Sequence, residues 1–130
     1  MVAPAVHAAF AAAGVKPAGE LSVVLSDDAH IRQLNRDFRA KDKPTNVLSF
    51  PQDVPGLLGD VILSRETLER EAIAQGKTFA DHTAHMLVHG VLHLLGFDHQ
   101  DDGTATDMEA REVRALARLG IDNPYRAAQV

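Results

Sequence analysis

The chain has 130 residues, 45% of them hydrophobic and 24% charged, with a formal net charge of −5 and no cysteine. That balance describes a single ordinary globular domain over residues 1–130. It excludes disulfides and thiolate metal sites, fits a reducing cytoplasm and argues against nucleic-acid binding over a broad basic surface. No apolar run reaches the roughly 20 residues needed to span a bilayer, so no membrane partner is expected.

The opening MVAPAVHAAFAAAG is alanine-rich like part of a secretory signal, but no Lys or Arg precedes Lys16. A signal peptide begins with a basic segment, so Pro4–Ala13 is read as a helix of the mature protein, ended by Gly14. Leu21–Leu25 (LSVVL) reads as a strand. Ser26, Asp27 and Asp28 offer N-caps to a helix carrying Ile31, Leu34 and Phe38 at helical spacing. That helix stops before Pro44, which biases Lys43 away from helical geometry.

Asn46–Phe50 (NVLSF) reads as a second strand halted by Pro51, and Asp60–Leu63 (DVIL) as a third after a Pro55-Gly56 loop. Ser64 is placed to cap a helix running to about Gln75 before Gly76. Thr78 or Asp81 caps the next helix, which is dense in apolar residues up to Leu95. A last amphipathic helix begins at Thr104 or Thr106, turns Met108, Val113, Leu116 and Leu119 inward and closes at Gly120. Three strands interleaved with four or five helices predict an α+β fold, a small mixed β-sheet with packed helices.

Chemistry concentrates between His82 and His99, which hold five of the seven histidines. On a helix His89 and His93 share a face, with Cβ atoms about 5–6 Å apart. A turn at Gly96 would bring His99 back as a third ligand. Three neutral nitrogens and an open position form the ligand set of a catalytic zinc ion, one per chain. The alternative is a structural histidine cluster. An HxxxH pair alone is common, but a third histidine after a glycine turn is not.

The spacing H-x3-H-x2-G-x2-H is that of a zincin-like metal helix. A zincin peptidase, however, carries its glutamate base directly after the first histidine, and here that position is Gly90. This argues against a metallopeptidase. A phosphodiester substrate asks instead for cations, because charge builds on a phosphoryl group. Arg32–Lys43 holds five cations against two acids, permitting a basic groove on an acidic body; a solvated helix face is the plainer alternative.

The segment HGVLHLLGFDH (89–99) resembles the signature H-G-x-L-H-L-x-G-[YF]-D-H of the YbeY family of ribosomal RNA maturation endoribonucleases. FRAKDKPTNVLSFP (38–51) is similar to that family's second hallmark, and LGDVI (58–62) to its L-G-D strand. The resemblance implies that His89, His93 and His99 are zinc ligands and that Arg39 is catalytic. Lys41 and Lys43 become substrate-binding candidates. His85, one turn before His89, either joins them or is a partly buried polar residue capping the site. Asp98 either orients a ligand or forms the turn beside Gly96, and Thr45, Asn46 and Ser49 either line the groove or fit a turn and a strand. Family members usually open with a further β-strand, so a sheet one strand smaller, with an exposed edge, is expected.

The function implied is a zinc-dependent, single-strand-specific endoribonuclease in ribosomal RNA maturation and ribosome quality control. Its expected partners are single-stranded rRNA and ribosomal proteins or ribosome-associated GTPases; a monomer in the cytoplasm is expected. The rivals are a metallopeptidase-like hydrolase and a non-catalytic, zinc-containing ribosome-associated factor.

Overall fold

Eight elements follow one another in the computed structural model, which describes residues 2–16, 19–97 and 102–125. They are α1 (Val2–Ala13), β1 (Glu20–Ser26), α2 (Asp28–Arg39), β2 (Val47–Val54), β3 (Leu57–Ser64), α3 (Arg65–Gln75), α4 (Phe79–Leu94) and α5 (Asp102–Arg118). The fold is α+β. Its sheet has the order β1-β3-β2, with β1 parallel and β2 antiparallel to β3. No helix among the described residues is long and apolar enough to cross a membrane.

The helix that carries the histidines runs through the centre. Every residue of α4 from His82 to Leu94 is buried except His89 and His93, as expected of a helix apolar around most of its circumference. Leu87, Val88, Val91 and Leu92 meet Val61 and Leu63 of β3, Ala5, Ala9 and Phe10 of α1, and Met108, Ala115 and Leu116 of α5 in one core. The small alanines of α1 permit its close approach. Thr78 caps α4, its hydroxyl accepting from the Asp81 backbone N–H at 3.1 Å. At the other end Gly96 takes φ +99°, the left-handed turn expected there.

Several boundaries differ from the sequence reading, among them the start of α5, which lies at Asp102 and not at Thr104 or Thr106. β2 does not stop at Pro51 but continues to Val54, and the intervening loop shrinks to a turn at Pro55-Gly56. The reason is position: β2 is an edge strand, where proline's missing N–H costs no ladder bond. Pro51 lies opposite Gly59, whose φ is +146° and where a Cβ would sit 2.5 Å from the Phe50 carbonyl oxygen and 2.9 Å from Leu94 Cδ2. Glycine is therefore what lets β2, β3 and the end of α4 close together.

Ser64 also behaves differently. It stands at the N-cap of α3 but makes no side-chain cap bond. Its hydroxyl instead donates to Asp28 at 2.5 Å, and Thr67 and Arg70 donate to the same carboxylate at 2.6 and 2.9 Å. Burial alone would raise the Asp28 pKa, but these three donors and the Arg70 charge hold it below the usual carboxylate value. The cluster ties α2 to α3. Beyond it, β1 forms the opposite edge of the sheet from β2 and exposes Val24 and Leu25.

Candidate active site

Helical spacing brings the two expected ligands together. His89 and His93 place their Nε2 atoms 3.1 Å apart, their rings edge to face with centroids 4.6 Å apart. Two nitrogens bound to one tetrahedral zinc at about 2.0–2.1 Å would lie roughly 3.3–3.4 Å apart, so the pair suits a shared ion with little adjustment. Among the described residues no group of three or more His, Cys, Asp or Glu is gathered in metal-holding geometry. His99, the third expected ligand, and Asp98 lie outside the described residues.

The basic stretch reaches the same place. A groove of about 350 Å³ is lined by His89 and His93 together with Arg39, Lys41 and Lys43, and by Thr45, Asn46 and Ser49. The turn that aims the lysines begins at Ala40, left-handed at φ 56°, whose N–H donates to the Arg36 carbonyl at 3.2 Å. Asn35, buried at the edge of the groove, donates its side-chain amide to the Lys43 carbonyl at 2.9 Å. Arg39 itself donates to the Ser49 carbonyl at 3.2 Å.

The charges in this stretch sort by position. Arg32 pairs with Asp42 at 2.8 Å and Arg36 with Asp37 at 3.3 Å, both on the open surface. Among the described residues no carboxylate pairs with Arg39, Lys41 or Lys43. The local positive charge is thus delivered to the groove. Opposite-facing low-dielectric walls would focus it on an anionic ligand.

Gly90, one residue after the first expected ligand, faces the sheet. A Cβ there would meet Val61 Cγ1 at 2.8 Å and Ser49 Oγ and Val47 Cγ2 at 3.2 Å, while Ser49 Oγ donates to the Gly90 carbonyl at 2.9 Å. The site where a zincin peptidase keeps its glutamate is filled by β2 and β3, so the absence of that base is built into the packing.

A residue that sequence reasoning passed over stands behind the histidines. Glu112 of α5 is 1% exposed. Its Oε2 lies 3.3 Å from His89 Nδ1, and its Oε1 lies 2.6 Å from His85 Nε2 and accepts from the Tyr125 hydroxyl at 2.9 Å. Burial pushes the Glu112 carboxyl up, but the hydrogen bonds and charges of His85 and His89 outweigh it and hold the group at about 2. Tyr125 is pushed upward by its own burial and by the Glu112 charge. The one signal available in the sequence was an acid at a core position, four residues after Met108 and four before Leu116.

His85 is therefore turned away from the groove. It is buried against Glu112 and borders a larger cavity of about 550 Å³ at the far end of α4, between Lys77, Asp81 and Asn123. Residues four apart on a helix differ by about 40° in direction, so His85 and His93 diverge by about 80°. Sharing a helix side did not mean sharing a site.

The family model described as endoribonuclease YbeY matches residues 1–120. The chain belongs to the endoribonuclease YbeY family. It is 57% identical over 129 residues to the endoribonuclease YbeY of Azorhizobium caulinodans, covering 93% of this chain and 81% of the relative. It is 61% identical over 116 residues to that of Paramagnetospirillum magneticum, covering 82% of this chain and 71% of the relative. Its fold is also similar to the solution structure of TM1509 from Thermotoga maritima, with a TM-score of 0.59, 22% identity, and coverage of 92% of this chain and 81% of the other.

Proposed function

We propose that this protein is a zinc-dependent, single-strand-specific endoribonuclease acting in ribosomal RNA maturation and ribosome quality control. The observation that carries the reading is the joining, in one groove, of a closely spaced imidazole pair with Arg39, Lys41 and Lys43. Two kinds of residue that suit a phosphodiester substrate meet there. A general base suited to peptides is sterically excluded at Gly90. Family membership supports the endoribonuclease activity.

His89 and His93, with His99 from the chain beyond α4, would hold the zinc. When bound, the ion would supply Lewis acidity toward water or a phosphoryl oxygen. Arg39 stabilises the charge that accumulates on the phosphate in the transition state; its planar fork suits two phosphate oxygens at once. Lys41 and Lys43 draw in the RNA backbone through a salt-sensitive attraction.

The test is cleavage of a single-stranded ribosomal RNA fragment by the purified protein, run beside His93→Ala and a chelator-treated sample. Cutting that is lost in both controls supports the reading. A wild type that cuts no better than His93→Ala overturns it for the isolated chain. The ends of the products then identify the nucleophile: a 2′,3′-cyclic phosphate means attack by the RNA's own 2′-OH.

A further inference from the structure

Three donors converge on one buried carboxylate. His85 Nε2 and the Tyr125 hydroxyl approach Glu112 Oε1 at 2.6 and 2.9 Å, and His89 Nδ1 approaches Oε2 at 3.3 Å. An ionised carboxylate offers only acceptors, so each of these neighbours donates to it. The nitrogen of each imidazole that faces it must therefore carry the hydrogen. For a neutral His89 this puts the proton on Nδ1 and leaves a lone pair on Nε2, the atom 3.1 Å from His93 Nε2 at the groove.

That arrangement is not the one histidine adopts unaided, since a neutral imidazole side chain in water favours the proton on Nε2. Something must reverse the preference before Nε2 can serve as a donor to a metal. An outer carboxylate does this at metal sites generally, fixing both the tautomer and the ring orientation.

We infer that Glu112 is a positioning residue: it holds His89 as the Nδ1–H tautomer, and is itself held by His85 and Tyr125, so that His89 Nε2 faces the groove ready to bind a metal ion. This deepens, and rests on, the zinc reading of His89 and His93. It also gives His85 and Tyr125 work that needs no contact with RNA. His85 is 7% exposed, too deep to meet a polynucleotide but well placed to anchor a carboxylate.

Long-range proton–nitrogen NMR correlation on the zinc-free 130-residue chain, above the histidine titration range, reads the tautomer directly. The wild type is expected to show His89 protonated on Nδ1, and Glu112→Gln to shift that proton toward Nε2. Competition with a chromogenic chelator should find zinc bound about 10–100-fold more weakly by Glu112→Gln. Tyr125→Phe, which removes one donor from Oε1 and leaves Oε2 to His89, should keep the tautomer.

A merely structural Glu112 would lower the melting temperature without moving the proton. A wild-type His89 protonated on Nε2 overturns the inference even if no Glu112 variant folds. So does a folded Glu112→Gln with unchanged tautomer and unchanged zinc affinity. The expected tautomer in a wild type that takes up no zinc would support the positioning role while refuting the metal reading on which its purpose depends.

Discussion

The histidines at the two ends of α4 differ in what their ring nitrogens face. At the N-terminal end His82 Nε2 meets Glu71 at 2.9 Å and His85 Nε2 meets Glu112 at 2.6 Å, and the Nδ1 atoms of both are buried without a hydrogen-bond partner among the described residues. At the C-terminal end His89 and His93 are half-buried and turn their Nε2 atoms toward one another beside three cations. One residue type on one helix thus serves two purposes. The difference comes from the surroundings. Glu71 of α3 and Glu112 of α5 face the Nε2 atoms of the first pair. By contrast, Glu112 reaches only the Nδ1 side of His89, and the chain after α2 opens a groove beside the Nε2 atoms of the second pair.

If this division is right, substitutions at the two ends should separate activity from stability. The largest effect is expected from His93→Ala, which should take RNA cleavage to the level of buffer with little change in melting temperature. His82→Gln should do the reverse, keeping cleavage while costing about 1 kcal/mol in urea unfolding, because it disturbs a part-buried hydrogen bond to Glu71. Loss of cleavage in His82→Gln at full stability would erase the distinction between the pairs.

Next in size is Arg39→Ala, expected to lower kcat by about 10²–10³-fold in single-turnover cleavage. Arg39→Lys should recover only part of this, since an ammonium lacks the bidentate fork. Removal of Lys41 or Lys43 should act on binding instead. Each alanine variant is expected to reduce the slope of log affinity against log salt by about 0.7, measured by RNA-binding titrations at several salt concentrations.

The smallest effect belongs to a region remote from the groove. The folded-state pKa of Asp28 is depressed, so its contribution to stability is fully present above its ordinary value of 3.8 and is lost as pH falls through the lower folded value. With part of its charge screened by solvent, that contribution is about 1 kcal/mol. Urea unfolding of the wild type and Asp28→Asn should differ by this amount at neutral pH and converge in strong acid, with cleavage unaffected throughout.

Much of this was legible in the sequence where the signal was local. His89 and His93 are four apart on an apolar helix, and that spacing alone put their nitrogens together. The cations before Pro44 were readable as a cluster, and the structure brings Arg39, Lys41 and Lys43 to the histidines. What failed to show was set by distant packing. Glu112 is 23 residues from His89 and meets it only because α5 packs across α4. His85 carried the right spacing, but the helix turns it toward α5. Pro51 reads as a strand breaker unless one knows that β2 lies at an edge.

The measurement that bears most directly on the central claim is a zinc back-titration of the stripped protein, with bound metal and cleavage of a single-stranded ribosomal RNA fragment followed together. Both should rise in step and level off at one zinc per chain, while a duplex of the same sequence stays intact. Cleavage that is undiminished in the stripped protein, or that ignores the added zinc, would contradict that claim.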